Sequence, residues 1–156
     1  MKLISTSDYT VRLVTPPNDE TNPQCEVMLN GAPTGTVLEG AILEAALKWH
    51  AYTLLFLTDD IPFEDALRIY LLDEKFNVMD SAQIMWIYAT GIFSDLDLSE
   101  PDAVSFRFFA DLDWTLTLLP EPAFALPVIS DPWAVSRPFK FHRRFRISNQ
   151  PSLNTD

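Results

Sequence analysis

Short segments in which apolar and polar residues alternate recur along this chain roughly every 8 to 12 residues, and the links between them are brief and rich in turn formers. That spacing constrains the fold more than any other feature, because side chains of period two can bury only one face of a strand. Tyr9 to Val14 and Cys25 to Leu29 open the series, separated by a loop holding Pro16, Pro17 and Pro23. Ala66 to Leu72 and Phe76 to Ile84 flank the polar triplet Asp73-Glu74-Lys75, which is short enough for a hairpin. Gly91 to Leu98, Ala103 to Phe109 and Trp114 to Leu119 continue the pattern, with Phe106 and Phe108 alternating with Ser105 and Arg107. The spacing predicts a mainly β protein: an antiparallel meander forming a sandwich or a partly closed barrel, with at most one or two short helices.

Thr36 to His50 supports two periods at once. Thr36 followed by Glu39 is a capping-box pattern, and Glu44 with Lys48 is a helical i,i+4 pair. Yet Leu43, Ala45, Leu47 and Trp49 alternate with Glu44, Ala46, Lys48 and His50, which is the period of a strand. The apolar run Tyr52 to Leu57 that follows tips the balance to strand, with His50-Ala51 as a tight connection. Beyond Leu119, five prolines from Pro120 to Pro138 predict no regular element before a basic strand. One β-rich domain is expected over residues 1–148, with 149–156 as a frayed tail.

The stretch from Leu54 through Thr58-Asp59-Asp60-Ile61-Pro62-Phe63-Glu64-Asp65 to Asp73 resembles a group of small bacterial proteins to which no activity is attached. The resemblance covers about the central half of the chain and favours strand over helix there; it implies nothing about function.

Charge is unevenly spread. The chain of 156 residues has a formal net charge of −11. Residues 1–136 hold six basic and 21 acidic side chains, whereas 137–156 hold Arg137, Lys140, Arg143, Arg144 and Arg146 against Asp156 alone. An acidic body repels phosphate backbones, so nucleic acid is not an expected partner and a cationic protein is. Arg137 to Arg146 interleaves bases with Phe139, Phe141 and Phe145, a composition that suits single strands or membrane surfaces; the favoured reading lays it against the acidic body with its phenylalanines inward. No apolar run approaches the roughly 20 residues of a membrane-spanning helix, and none follows Lys2 as in a signal peptide. With a single cysteine, Cys25, a cytoplasmic protein is the expectation.

Searches for catalytic machinery return little. Four glycines, Gly31, Gly35, Gly40 and Gly91, are too few and too scattered for a phosphate-cradling loop, so no cofactor is expected. His50 and His142 lie far apart and lack a metal-ligand neighbour, so no metal site is expected either. Cys25 sits beside Glu26, which opposes thiolate formation. No catalytic residue is assigned.

What remains is acidic. Asp59, Asp60, Glu64 and Asp65 share one connection, Asp95, Asp97, Glu100 and Asp102 lie near another, and Asp111 and Asp113 in a third. Carboxylates initiate turns and keep loops wet, which explains their presence without a role; a partner-facing acidic surface is the favoured functional reading. Among Trp49, Trp86, Trp114 and Trp133, core packing is the default, and Trp133, within Asp131-Pro-Trp-Ala, stands out as a loop residue suited to docking. Asp59, Asp60, Glu64, Asp65 and Trp133 are thus the candidate partner-binding residues. The expected function is a small acidic binding protein, as immunity-type inhibitors of cationic proteins are. Two alternatives are a carboxylate-lined enzyme or ligand-binding barrel, and a subunit of a homo-oligomer whose basic tail docks on a neighbour.

Overall fold

A computed structural model describes residues 4–61, 65–85, 91–109, 112–124, 131–138, 140 and 142–151. Every regular element among them is a β-strand, and all pairings are antiparallel. The chain builds three sheets in succession. After a short β1 (Ile4–Ser5), strands β2 (Tyr9–Thr15), β3 (Gln24–Leu29) and β4 (Ala32–Glu39) form a three-stranded meander. Strands β5 (Ile42–Trp49), β6 (Tyr52–Thr58), β7 (Leu67–Leu72) and β8 (Val78–Ile84) form the body of a second sheet, with β1 on the β5 side. Strands β9 (Ser94–Asp97), β10 (Ala103–Arg107) and β11 (Leu112–Phe124) begin a third. The last two strands then split: β12 (Val135–Ser136) returns to pair with β8 in the second sheet, and β13 (His142–Pro151) pairs with β11 in the third.

The six-stranded sheet is the middle layer of a three-layer sandwich. On one face Leu47, Trp49, Leu54, Phe56, Leu67 and Ile69 pack against Val104, Phe106, Trp114, Leu116 and Phe145 of the four-stranded sheet. On the other, Ala46, Leu55, Leu57 and Leu72 pack against Tyr9, Cys25, Val27 and Leu38 of the three-stranded sheet. A strand covered on both faces has no wet side, which is why Thr53 to Thr58 is one unbroken run of buried residues. Gly40 makes the change of sheet between β4 and β5. Its φ of +133° is open to glycine, and a Cβ there would meet the Leu57 Cβ at 2.9 Å.

Sandwich rather than barrel is the outcome: none of the three sheets closes among the described residues. No helix among them is long and apolar enough to cross a membrane. The ambiguous stretch from Thr36 to His50 belongs to two strands in different sheets, with His50 at φ 54° in the tight connection to β6. Burial of Ala46, Leu47 and Trp49 between layers overrides the local helical signals.

Two expectations are corrected. Pro120 and Pro122 do lie within a strand: β11 runs on to Phe124, past the end of its pairing with β10 at Thr117, and its register with β13 shifts between Leu118 and Ala123. A proline is tolerated where ladder bonds are interrupted on one side and absent on the other. Residues 149–151 belong to a strand, because Asn149, Gln150 and Pro151 pair with Trp114, Asp113 and Leu112; residues 152–156 lie outside the described residues. Phe145 is fully buried, as the inward-facing reading requires; Phe139, Phe141, Trp86 and Asp111 lie outside the described residues.

Candidate functional site

Register brings the sequence-derived candidates to one end of the central sheet. Thr58 pairs with Leu67, Leu67 with Ile84, and Ile84 with Val135, so the connection after β6 and the turn before β12 lie on the same border, three strand spacings or about 15 Å apart. Trp133 stands on that turn with 61% of its surface exposed. The turn is pinned to the sheet by Met85 N–H donating to the Ala134 carbonyl at 3.1 Å, and Met85 is exposed beside it.

The acidic connection is less uniform than its composition. Asp60 is exposed, with φ 58°. Asp65 is half-buried and accepts the Asp59 backbone N–H at 2.8 Å; burial, with the nearby Asp59 charge, holds its carboxyl above the usual range. Asp59 points inward: its two oxygens take Arg68 Nε at 2.8 Å and Nη2 at 2.9 Å, and both side chains are at most 5% exposed. A bidentate, buried carboxylate is part of the interior, so Asp59 does not belong to the outward-facing set. Glu64 lies outside the described residues.

Beside this end a groove opens that the sequence pattern did not flag. The three-stranded sheet covers the central sheet only as far as β7, and among the described residues none of its strands packs over β8 and β12. The resulting cavity of about 500 Å³ is floored by Arg68, Tyr70, Ser81 and Gln83, and walled by Val37 and Glu39 on one side and Ser136 on the other. Arg68 Nη1 donates to Glu39 Oε2 at 2.8 Å and to Gln83 Oε1 at 2.9 Å. Burial alone would lower the guanidinium's pKa; the Asp59 hydrogen bonds and charge outweigh it and raise it. Tyr70 Oη donates to the Glu39 carbonyl at 2.9 Å, and burial drives its phenol well above the ordinary range. One signal in the sequence pointed here: Arg68 is a lone charge within Leu67-Arg-Ile-Tyr-Leu-Leu72, a strand otherwise apolar and aromatic.

Arg137 and Arg143 of the basic tail are folded inward, while Arg146 is exposed. Asp80, on β8, accepts Arg137 Nη2 at 2.6 Å, Arg143 Nη1 at 3.2 Å and the backbone N–H groups of Ser81 and Arg144, each at 2.8 Å. Arg137 also donates to the carbonyls of Ser81 and Phe145 and lies 4.2 Å from the Phe145 ring centre. The side chains of Asp80, Arg137 and Arg143 are at most 5% exposed.

On the outer face of the four-stranded sheet, Asp95, Asp97 and Asp113 border a shallower depression of about 340 Å³. Arg107 bridges two of them, at 2.7 Å to Asp113 and 3.6 Å to Asp95. Asp97 is held below the usual carboxylate range by hydrogen bonds from Ser99. No group of three or more metal-ligating side chains converges among the described residues.

Fold and site together define an all-β three-layer sandwich with an acidic exterior and an open groove at the free edge of its smallest sheet. No protein-family model, curated protein or solved structure matches the chain.

Proposed function

We propose that this chain is an acidic binding protein that recognises a cationic protein, in the manner of an immunity-type inhibitor. The reading is carried by where the arginines go. Among the described residues Arg68, Arg137 and Arg143 are buried with only Asp59 and Asp80 as buried acids, so these five side chains sum to +1 and the rest of the chain carries −12. Two of the five basic side chains of the tail, Arg137 and Arg143, are thereby withdrawn from the surface, and the exterior carries one more negative charge than composition alone suggests.

The end of the central sheet bearing Asp60, Asp65, Met85 and Trp133 is the proposed contact surface. A large exposed ring and a methionine flanked by carboxylates combine an anchor with steering charge: aromatic anchors dominate dissociation, and rim charges set the association rate. The test is capture of a basic protein from source-cell lysate, followed by kinetics with purified partners. Asp60→Asn with Asp65→Asn should slow association and flatten its dependence on salt, whereas Trp133→Ala should speed dissociation. Association rates indifferent to salt and to both carboxylates would sink the proposal.

A further inference from the structure

We propose that the groove receives an extended segment of the cationic partner as an added strand on the free edge of β4. This rests on the binding-protein reading and names how that partner is held. The edge is open because β4 pairs with β3 on one side and with no strand among the described residues on the other. Gly40 N–H donates to the Pro23 carbonyl at 2.9 Å, and Leu38 and Glu39 sit opposite Cys25 and Gln24. In an antiparallel ladder the direction of backbone groups alternates, so Leu38 and Gly40 turn toward β3 while Val37 and Glu39 turn their N–H and C=O outward. Tyr70 Oη confirms the direction by reaching the Glu39 carbonyl from outside the three-stranded sheet.

Exposed edges are normally blunted, and β4 is blunted over only half its length. Pro33 lacks a donor, Gly35 lies at φ +84°, the register with β3 shifts between Glu26 and Met28, and Thr36 Oγ1 is tied to the Phe76 carbonyl at 2.8 Å. Over Val37 to Glu39, the stretch lining the cavity, only the Glu39 carbonyl is engaged from outside, by Tyr70 Oη, and the Val37 N–H and C=O and the Glu39 N–H have no partner among the described residues. Charge then selects the occupant. Arg68 and Arg137 line the groove but are at most 5% exposed and paired internally, whereas the Glu39 side chain is 48% exposed. Glu39 Oε2 takes Arg68, and Oε1 has no hydrogen-bond partner among the described residues. An extended peptide whose backbone bonds Val37 and Glu39 and whose lysine or arginine reaches Glu39 Oε1 satisfies both the edge and the charge.

The experiment selects short random displayed peptides on the intact protein and resynthesises an enriched sequence with its amide nitrogens methylated in two alternate sets. Enrichment of basic peptides is expected, with one methylated set losing about tenfold or more in affinity and the other keeping it, since only one set faces β4. Val37→Pro, an edge proline that leaves the β3 ladder intact, should lose binding to the same degree with an unchanged unfolding midpoint. Glu39→Gln should weaken binding a few-fold and flatten its salt dependence. Failure to enrich any peptide, equal sensitivity to both methylated sets, or full binding by Val37→Pro would each overturn the proposal. A basic protein that still binds Val37→Pro but is lost on neutralising Asp60 and Asp65 would overturn strand addition while leaving the acidic-surface reading standing. Self-association abolished by Val37→Pro would assign the edge to a second copy and likewise overturn it.

Discussion

The two buried ionic centres of this protein solve different problems with the same chemistry. Asp59 and Arg68 are nine residues apart, Asp59 directly after β6 and Arg68 on the neighbouring β7. Their pairing is local, and Glu39 and Gln83 give the guanidinium further acceptors at the floor of the groove. Asp80 instead gathers Arg137 and Arg143 from 57 and 63 residues away, with the Arg144 N–H as well. Because Arg143 lies on β13 of the four-stranded sheet and Arg137 directly follows β12 of the six-stranded one, a single carboxylate on β8 ties the two layers together. In the first centre the arginine has acceptors to spare; in the second the carboxylate has every lone-pair site engaged. The difference teaches that the weak point is the aspartate in one centre more than in the other.

Asp80→Asn should accordingly be the most damaging substitution, leaving buried Arg143 without a counter-charge and buried Arg137 with only the longer contact to Asp131 at 3.5 Å, at a cost of about 4 to 5 kcal/mol in urea unfolding. Asp59→Asn should cost less, about 3 kcal/mol, because Arg68 keeps Glu39 and Gln83. An equal or reversed order would break the comparison. Converting the local pair together, Asp59→Leu with Arg68→Met, should recover most of that loss, since no charge is left stranded. Within the same centre, Glu39→Gln should change stability by at most about 1 kcal/mol, as its carboxylate is half exposed and screened. Recovery absent from the double variant would show that the pair is needed for more than mutual neutralisation.

The smallest effect concerns Cys25, fully buried near Asp59, whose thiol is pushed up to about 11 by burial and then by that carboxylate's charge. A raised thiol pKa means the unfolded chain releases its proton first, so folding stability falls as pH climbs from about 9.0 toward 11 and is unaffected below. Cys25→Ala should flatten that alkaline slope. Asp59→Asn should lower the pH at which the thiol becomes alkylated, because one of the two causes is removed.

How much of this could be read from the sequence depended on distance along the chain. Alternation in Ala103 to Arg107 and Leu112 to Leu118 fixed which residues face the core, and those assignments hold. Period alone was silent on layering: the continuous burial of β6 required a second sheet on its far side, and no local signal in Leu54 to Leu57 says which neighbour covers which face. The acidic connection was visible, but composition could not distinguish Asp60, which faces water, from Asp59, which faces Arg68. Composition likewise flagged the basic tail, and only the long-range partner Asp80 explains why Arg137 and Arg143 turn inward. Beyond the lone charge of Arg68, the groove was illegible because it is made of an omission, the area of β8 and β12 that a three-stranded sheet is too narrow to cover.

The Asp80 fastening has a consequence for how the chain is made. Synthesis runs from the N-terminus, so β8 leaves the ribosome more than fifty residues before Arg137 and Arg143 do. Throughout that interval the carboxylate destined for the interior has neither guanidinium to meet, and sealing it between layers would carry the full desolvation cost. The nascent chain is thereby discouraged from closing its two larger sheets early. Strand β13 also brings a counter-charge, making its emergence and closure of the core a single event.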